Sequence, residues 1–225
     1  MADLHLFPIG ILCATDTSLG RWTTGGTGVN DFFEPNDGCT SQPVDTTLQS
    51  TFENHSIQAR EKIPIYRSIQ YSYKDIWHRE YEMIERFYEH RKGKAHRFYV
   101  VDLSVRAIPT ALTITVGTVS ATIPDTHRFT TIAGKGGYYA CCYKPSTASV
   151  LIGRMISLSA DANITFAASW GDVGTFKAGE TFVYPMVEVY FTSMQPKPKE
   201  FNPEIALDGG QMYDLEVGFI QYGCD

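Results

Sequence analysis

A chain of 225 residues lies at the upper edge for one domain and the lower edge for two. With 43% hydrophobic and 13% aromatic residues it can fill a packed core, which excludes disorder for the chain as a whole. A net charge of −6 argues against a general nucleic-acid binder, which needs a basic face, so no direct nucleic-acid binding is expected.

The charge is unevenly placed. Ten of the nineteen Lys and Arg lie between Arg60 and Arg97, against six acidic residues there. Such polarity suits head-to-tail or ring assembly, and equally a solvated helix face. Five cysteines (Cys13, Cys39, Cys141, Cys142 and Cys224) show no metal-type spacing, and adjacent Cys141 and Cys142 would point to opposite faces of a strand. They read as reduced residues of a cytosol-made protein. Met1 to Gly10 lacks the pattern of a signal peptide, and no apolar run approaches the roughly 18 residues of a membrane span.

In chain order, residues 1–60 read as an irregular arm. Leu4, Leu6 and Ile9 could begin a strand, and Thr15 to Thr47 reads as loop, with turns at Gly25–Gly28 and Pro35–Gly38. Ile63, Ile65, Ile69, Tyr71 and Tyr73 then alternate as a strand with one buried face. From Lys74 to Arg91 the period changes. Trp77, Tyr81, Ile84 and Tyr88 fall at i, i+4, i+7 and i+11, flanked by Ile76, Met83 and Phe87, which predicts a helix laying a broad apolar face on a sheet. Asp75 suits the start of that helix; Arg91, Lys92 and Lys94 suit its end, and Gly93 its cap. Phe98 to Val101 resumes as a strand.

From Leu112 onward the pattern is β. Strands are expected at Thr113–Val116, Ser120–Ile123, Tyr138–Tyr143, Val150–Ser157 and Ile164–Ala167, spaced as in a sandwich or barrel. Val183 to Thr192 is another, beginning late or lying at an edge because of Pro185. A polar stretch, Gln195 to Lys199, precedes a last strand in which Tyr213, Leu215, Val217 and Phe219 alternate inward.

A search for chemistry yields no catalytic, cofactor-binding or metal site. Phosphate-loop, Gly-x-Ser-x-Gly and His-Glu-x-x-His motifs are absent. His78 and Glu82 stand at i,i+4 without a third ligand at helical spacing. Asp161, Asp172, Glu180 and Glu188 show no spacing that singles out a facing pair. Tyr66, Tyr71, Tyr73, Tyr81, Tyr88 and Tyr99 cluster around the basic segment, but they follow strand and helix core periods.

The run from Ile63 to Asp102 resembles the strand–helix–strand segment of siphophage tail-tip proteins. It carries a helix ending in Phe87-Tyr88, a basic Arg91-Lys92-Gly93-Lys94-Ala95 turn and an aromatic strand from Phe98. The end, Tyr213 to Phe219, with Phe201-Asn202-Pro203, Leu207 and Gly209-Gly210 before it, is similar to the terminal strand of the same group. The resemblance is shared by the distal tail proteins and related minor tail proteins. It implies a mainly β fold with one principal α-helix, a β-barrel hub with that helix packed on it. Residues 61–106 and 182–225 would form the hub, and 107–181 an inserted or appended β-sandwich-like domain. It also implies a ring homo-oligomer, usually a hexamer, in the virion of a phage, made in the host cytoplasm. Its partners would be the tail tube protein and the tail-tip or tape-measure proteins. Arg91, Lys92, Gly93, Lys94 and Arg97 are the candidate subunit interface, and Trp77, Tyr81, Ile84 and Tyr88 the helix core. Two other functions stay open: a carbohydrate-binding β-module using Trp170, Trp22 or Tyr138, and a small hydrolase using carboxylates of the β region.

Overall fold

The computed structural model describes residues 4–5, 7, 11–12, 21–22, 30–31, 35–44, 47–51, 57–61, 66–115, 118–126, 128–132, 136–147, 149–159, 163–171, 176–199 and 211–222. Its strands are β1 (Leu4–His5), β2 (Ile11–Leu12), β3 (Arg21–Trp22), β4 (Asn30–Asp31), β5 (Cys39–Val44), β6 (Thr47–Thr51), β7 (Ile57–Glu61) and β8 (Tyr66–Trp77). Helix α1 (His78–His90) follows, then β9 (Phe98–Val101), β10 (Ala111–Thr115), β11 (Thr118–Thr122), β12 (Tyr139–Lys144), β13 (Ser149–Leu158), β14 (Asn163–Gly171), β15 (Phe182–Pro198) and β16 (Met212–Gln221). Among the described residues the protein is mainly β with one α-helix, as expected. Strands β1 to β7 lie in or end just past the 1–60 stretch read as an irregular arm, and only β1 falls where a strand could begin. Ile63 and Ile65, Cys13 and Cys224, and the Phe201–Gly210 part of the resemblance fall outside the described residues.

Ten strands form one antiparallel sheet, ordered β10-β11-β14-β13-β12-β15-β16-β8-β5 with β9 also on β15. The 17-residue β15 explains this arrangement. Met186 pairs with both Tyr139 and Val101, and Val189 with both Gln221 and Phe98. Two partners of one residue must lie on opposite edges. β12 and β16 therefore follow one another along one edge of β15, and β9 spans the join from the other. The polar stretch Gln195–Lys199 was expected to be non-strand. It instead extends β15 to Pro198, because Lys197 meets Glu216 at 2.9 Å and the ladder to β16 continues from Gln195 to Pro198.

Pro185 does not delay the strand either. It pairs with Ala140 of β12 and lies one residue beyond the ladder to β9; its carbonyl accepts from Asp102 N at 2.8 Å, and the Asp102 carbonyl accepts from Val105 N at 3.2 Å. Gly137 accommodates the ring: a Cβ at that position would stand 2.4 Å from Pro185 Cβ.

Two cores flank the shared strands. One gathers Ile69, Tyr71, Tyr73 and Ile76 of β8 with Leu215, Val217 and Phe219 of β16, Phe98 of β9, Val189 and Phe191 of β15, and Ile84 and Phe87 of α1. The other gathers Val119, Ala121, Leu151, Ile164, Phe166 and Val183. Cys141 belongs to the first and Cys142 to the second, which is the opposite-face placement expected of adjacent strand residues. Strands of 107–181 and those of the hub segments thus share one sheet. Phe7 is fully buried in the first core, with ring centroids 5.0 Å from Phe219, 5.7 Å from Tyr71 and 5.8 Å from Phe87.

The hub expectation named a barrel, whereas the described ladders run open from β10 to β5. The gap between β5 and β9 is bridged by side chains. Tyr71 of β8 donates its hydroxyl to the Val101 carbonyl. Ser41 Oγ lies 3.5 Å from Asp102 Oδ2, and Arg128 binds both Asp102 and, at 3.0 Å, Ser41 Oγ. Asp102 is fully buried, and it also accepts from Ser104 N at 3.2 Å. Arg67 completes the seam by donating to Ser41 Oγ at 3.0 Å and to the Ser41 carbonyl at 3.1 Å.

Candidate subunit interface at the helix exit

Helix α1 starts at His78, four residues after the expected Lys74. Asp75 is the reason. Its φ of +53° forms a bulge in which Lys74 and Asp75 face the single residue Asp214, since Tyr213 pairs with Ile76 and Leu215 with Tyr73. The bulge inverts the alternation, so Tyr73 and Ile76 both point into the core and imitate helical spacing. Asp75 N donates to Asp214 Oδ1 at 3.1 Å, and Lys199 pairs with both carboxylates. Lys199 holds the Asp214 carboxyl below its ordinary range.

Trp77 is therefore the last strand residue and the helix cap, half-buried, rather than a helix-core residue. Its N–H donates to Glu80 Oε2 at 2.9 Å, and His78 N donates to the Gln211 carbonyl at 3.1 Å. The buried stripe runs Tyr81, Ile84, Phe87 and Arg91. Tyr81 stacks on Tyr213 with centroids 4.3 Å apart, and Tyr88 packs half-buried against Phe191 at 4.9 Å. Phe87, expected to flank the stripe, is central to it.

The turn after the helix divides the five expected interface residues. Arg91 is only 6% exposed, against the expectation of a surface cation. Its guanidinium turns back along the helix end, 5.8 Å above the Phe87 ring, with Nη1 3.4 Å from the Arg97 carbonyl. Lys92 and Gly93 both adopt the left-handed region, with φ of +51° and +56°. Gly93 is buried, because the Tyr88 hydroxyl roofs it at 3.0 Å from where a Cβ would sit. Two left-handed residues in succession reverse the chain and leave Lys92 and Lys94 exposed. Arg97 is exposed but held: it lies 3.6 Å from Glu188 and 4.4 Å from the centre of the Tyr222 ring. Burial pushes the Glu188 carboxyl up, and Arg97 pulls it part of the way back.

The chain matches no protein-family model and no curated protein.

The remaining expected sites disperse. The His78 Nδ1 lies 3.3 Å from the Tyr213 hydroxyl, while Glu82 pairs with Arg86, so the two do not converge on an ion. Among the described residues no group of three His, Cys, Asp or Glu is placed to hold a metal. Glu180 pairs with Lys144 at 3.3 Å and Glu188 with Arg97 at 3.6 Å, so each carboxylate has its own cation. Asp161 and Asp172 fall outside the described residues, as do the side chains of Trp22 and Trp170. Tyr138 has the Arg154 guanidinium 4.9 Å from its ring centre and Tyr139 at 5.0 Å in a T-shaped contact. Cys39 sits beside the Asp102 seam, where burial and that carboxylate push its thiol up to about 12, away from nucleophilic behaviour. Among the described residues no helix is long and apolar enough to cross a membrane.

The Asp102–Arg128–Ser41 seam carries no sequence signal. Asp102 closes the resembling segment and Arg128 lies in a loop, so no local spacing links them.

Proposed function

We propose that this chain is a structural component of a bacteriophage tail tip, a ring-forming hub joining the tail tube to the tip or receptor-binding machinery. In this reading it acts through geometry, in the virion, with copies of itself, the tube protein and the tail-tip or tape-measure proteins as partners. No catalysis, cofactor or direct nucleic-acid contact enters.

The observation that carries the reading is the construction of the helix exit. Arg91 is turned inward and Gly93 is roofed by Tyr88, so Lys92 and Lys94 project from a fixed turn rather than a loose loop. With ten basic and six acidic residues in Arg60–Arg97, nine basic and nineteen acidic remain elsewhere. A rigid cationic knob on an otherwise acidic chain suits a head-to-tail contact between copies, the heterologous geometry that closes into rings. The resemblance of Ile63–Asp102 and Tyr213–Phe219 to tail-tip proteins supports the same reading.

Native mass spectrometry of the purified protein across a concentration series tests it. A closed oligomer is expected, with six copies favoured. A monomer at every concentration overturns it.

A further inference from the structure

The two ends of the ten-stranded sheet are treated differently by the sequence. β5 carries Pro43 and is tied by Ser41 to the Arg67–Asp102–Arg128 seam. β10 has no such guard. No Lys, Arg, Asp or Glu occurs from Ala107 to Ile123, and the only proline there, Pro109, precedes the strand. Exposed edge strands in folded proteins are ordinarily blunted by charge, proline or a bulge, because open backbone groups template pairing with another strand. The ladder from β10 to β11 runs without a bulge through five pairs, Ala111–Thr122 to Thr115–Thr118. Among the described residues β10 pairs with no other strand.

The side chains sort by face. Thr113, Ser120 and Thr165 lie side by side across three strands, with Ser120 Oγ 3.3 Å from Thr165 Oγ1. Leu112 and Ile114 line up with Ala121 and Val119 on the opposite face and belong to the rim of the second core. They are only half-buried, because that core stops at β10, and Ile108 just before it is 45% exposed.

We infer that β10 is a docking edge for β10 of a second copy, paired antiparallel about a two-fold axis through Thr113. That register sets Leu112 opposite the partner copy's Ile114 and continues the second core across the axis, while the threonine face continues on the other side. Charge selects the occupant. About this axis Thr113 alone meets its own copy, and a charged residue there would meet a like charge; Thr113 is neutral and the whole strand carries no charge. A five-residue strand offers a contact roughly 17 Å long. It falls short of the roughly 1,000 Å² of a stable interface, so the pairing is concentration-dependent. The contact uses neither Lys92 nor Lys94 and stands independently of the ring reading.

The test combines two exposed positions on the threonine face. Thr113→Cys in the intact chain is expected to form a disulfide-linked dimer on mild oxidation, since the axis brings the two residues together. Ser120→Cys, one strand further in, is expected to remain at the wild-type background set by the native cysteines. Sedimentation is expected to show a concentration-dependent doubling of mass for the wild type and none for Thr113→Lys, at an unchanged melting temperature. Absence of the Thr113→Cys dimer, or mass doubling that survives Thr113→Lys, overturns the inference. The second result would place self-association elsewhere and leave a ring built through the helix exit untouched.

Discussion

Gly93 answers a requirement of both backbone and space. Its φ of +56° disfavours any side chain, and the Tyr88 hydroxyl stands only 3.0 Å from where a Cβ would sit. Gly93→Ala is predicted to destabilise the fold by about 1–2 kcal/mol from the backbone alone, with Tyr88 displaced in addition. Urea unfolding followed by tyrosine fluorescence measures it, and an unchanged midpoint would contradict the geometry. Lys92, with nearly the same φ, has no such roof and is exposed, so its conformation rather than its packing is what the turn demands. This distinction was half legible. A glycine after a helix with basic residues around it reads as a cap, but the inward turn of Arg91 depends on Phe87 being the buried residue, one position before the expected Tyr88. Phe7 was not legible at all. A lone phenylalanine in polar sequence has no periodicity to mark it, and its importance comes from five aromatic neighbours supplied by β8, β9, β15, β16 and α1.

Among the elements, β16 and β9 follow their patterns closely, since each buries one face against the same core. The start of α1 does not, because the bulge at Asp75 shifts a two-residue period into a three-residue step just where a helix is about to begin. β5 is masked for another reason: Cys39 to Val44 is mostly polar, and with Cys39, Ser41 and Val44 only half-buried and none of the six fully buried, no apolar alternation is required of it. What holds β5 near β9 is the Asp102 seam. Asp102→Asn removes the charge that balances Arg128, whose side chain is only 13% exposed, and is predicted to cost about 3–5 kcal/mol. Ser41→Ala removes one hydroxyl and is predicted to cost only about 1 kcal/mol. Chemical denaturation of both variants checks the order; equal losses would mean that the guanidinium is satisfied without the carboxylate.

For the whole molecule, one long strand joins two cores, and the ends of the sheet are available for different tasks. The seam near β5 consolidates the part that carries α1, whereas β10 and the helix exit present unlike surfaces, one uncharged and flat, the other cationic and raised. A hub that meets several neighbours at once requires such separated surfaces. The most direct test of the hub reading is electron imaging of the isolated protein beside a Lys92→Glu, Lys94→Glu variant. Both side chains are exposed, so the variant is expected to fold with an unchanged melting temperature. The account predicts closed rings from the wild type, weakened by high salt, and no rings from the charge-reversed variant. Wild-type fields without rings, or rings that form equally well after the reversal, would contradict it.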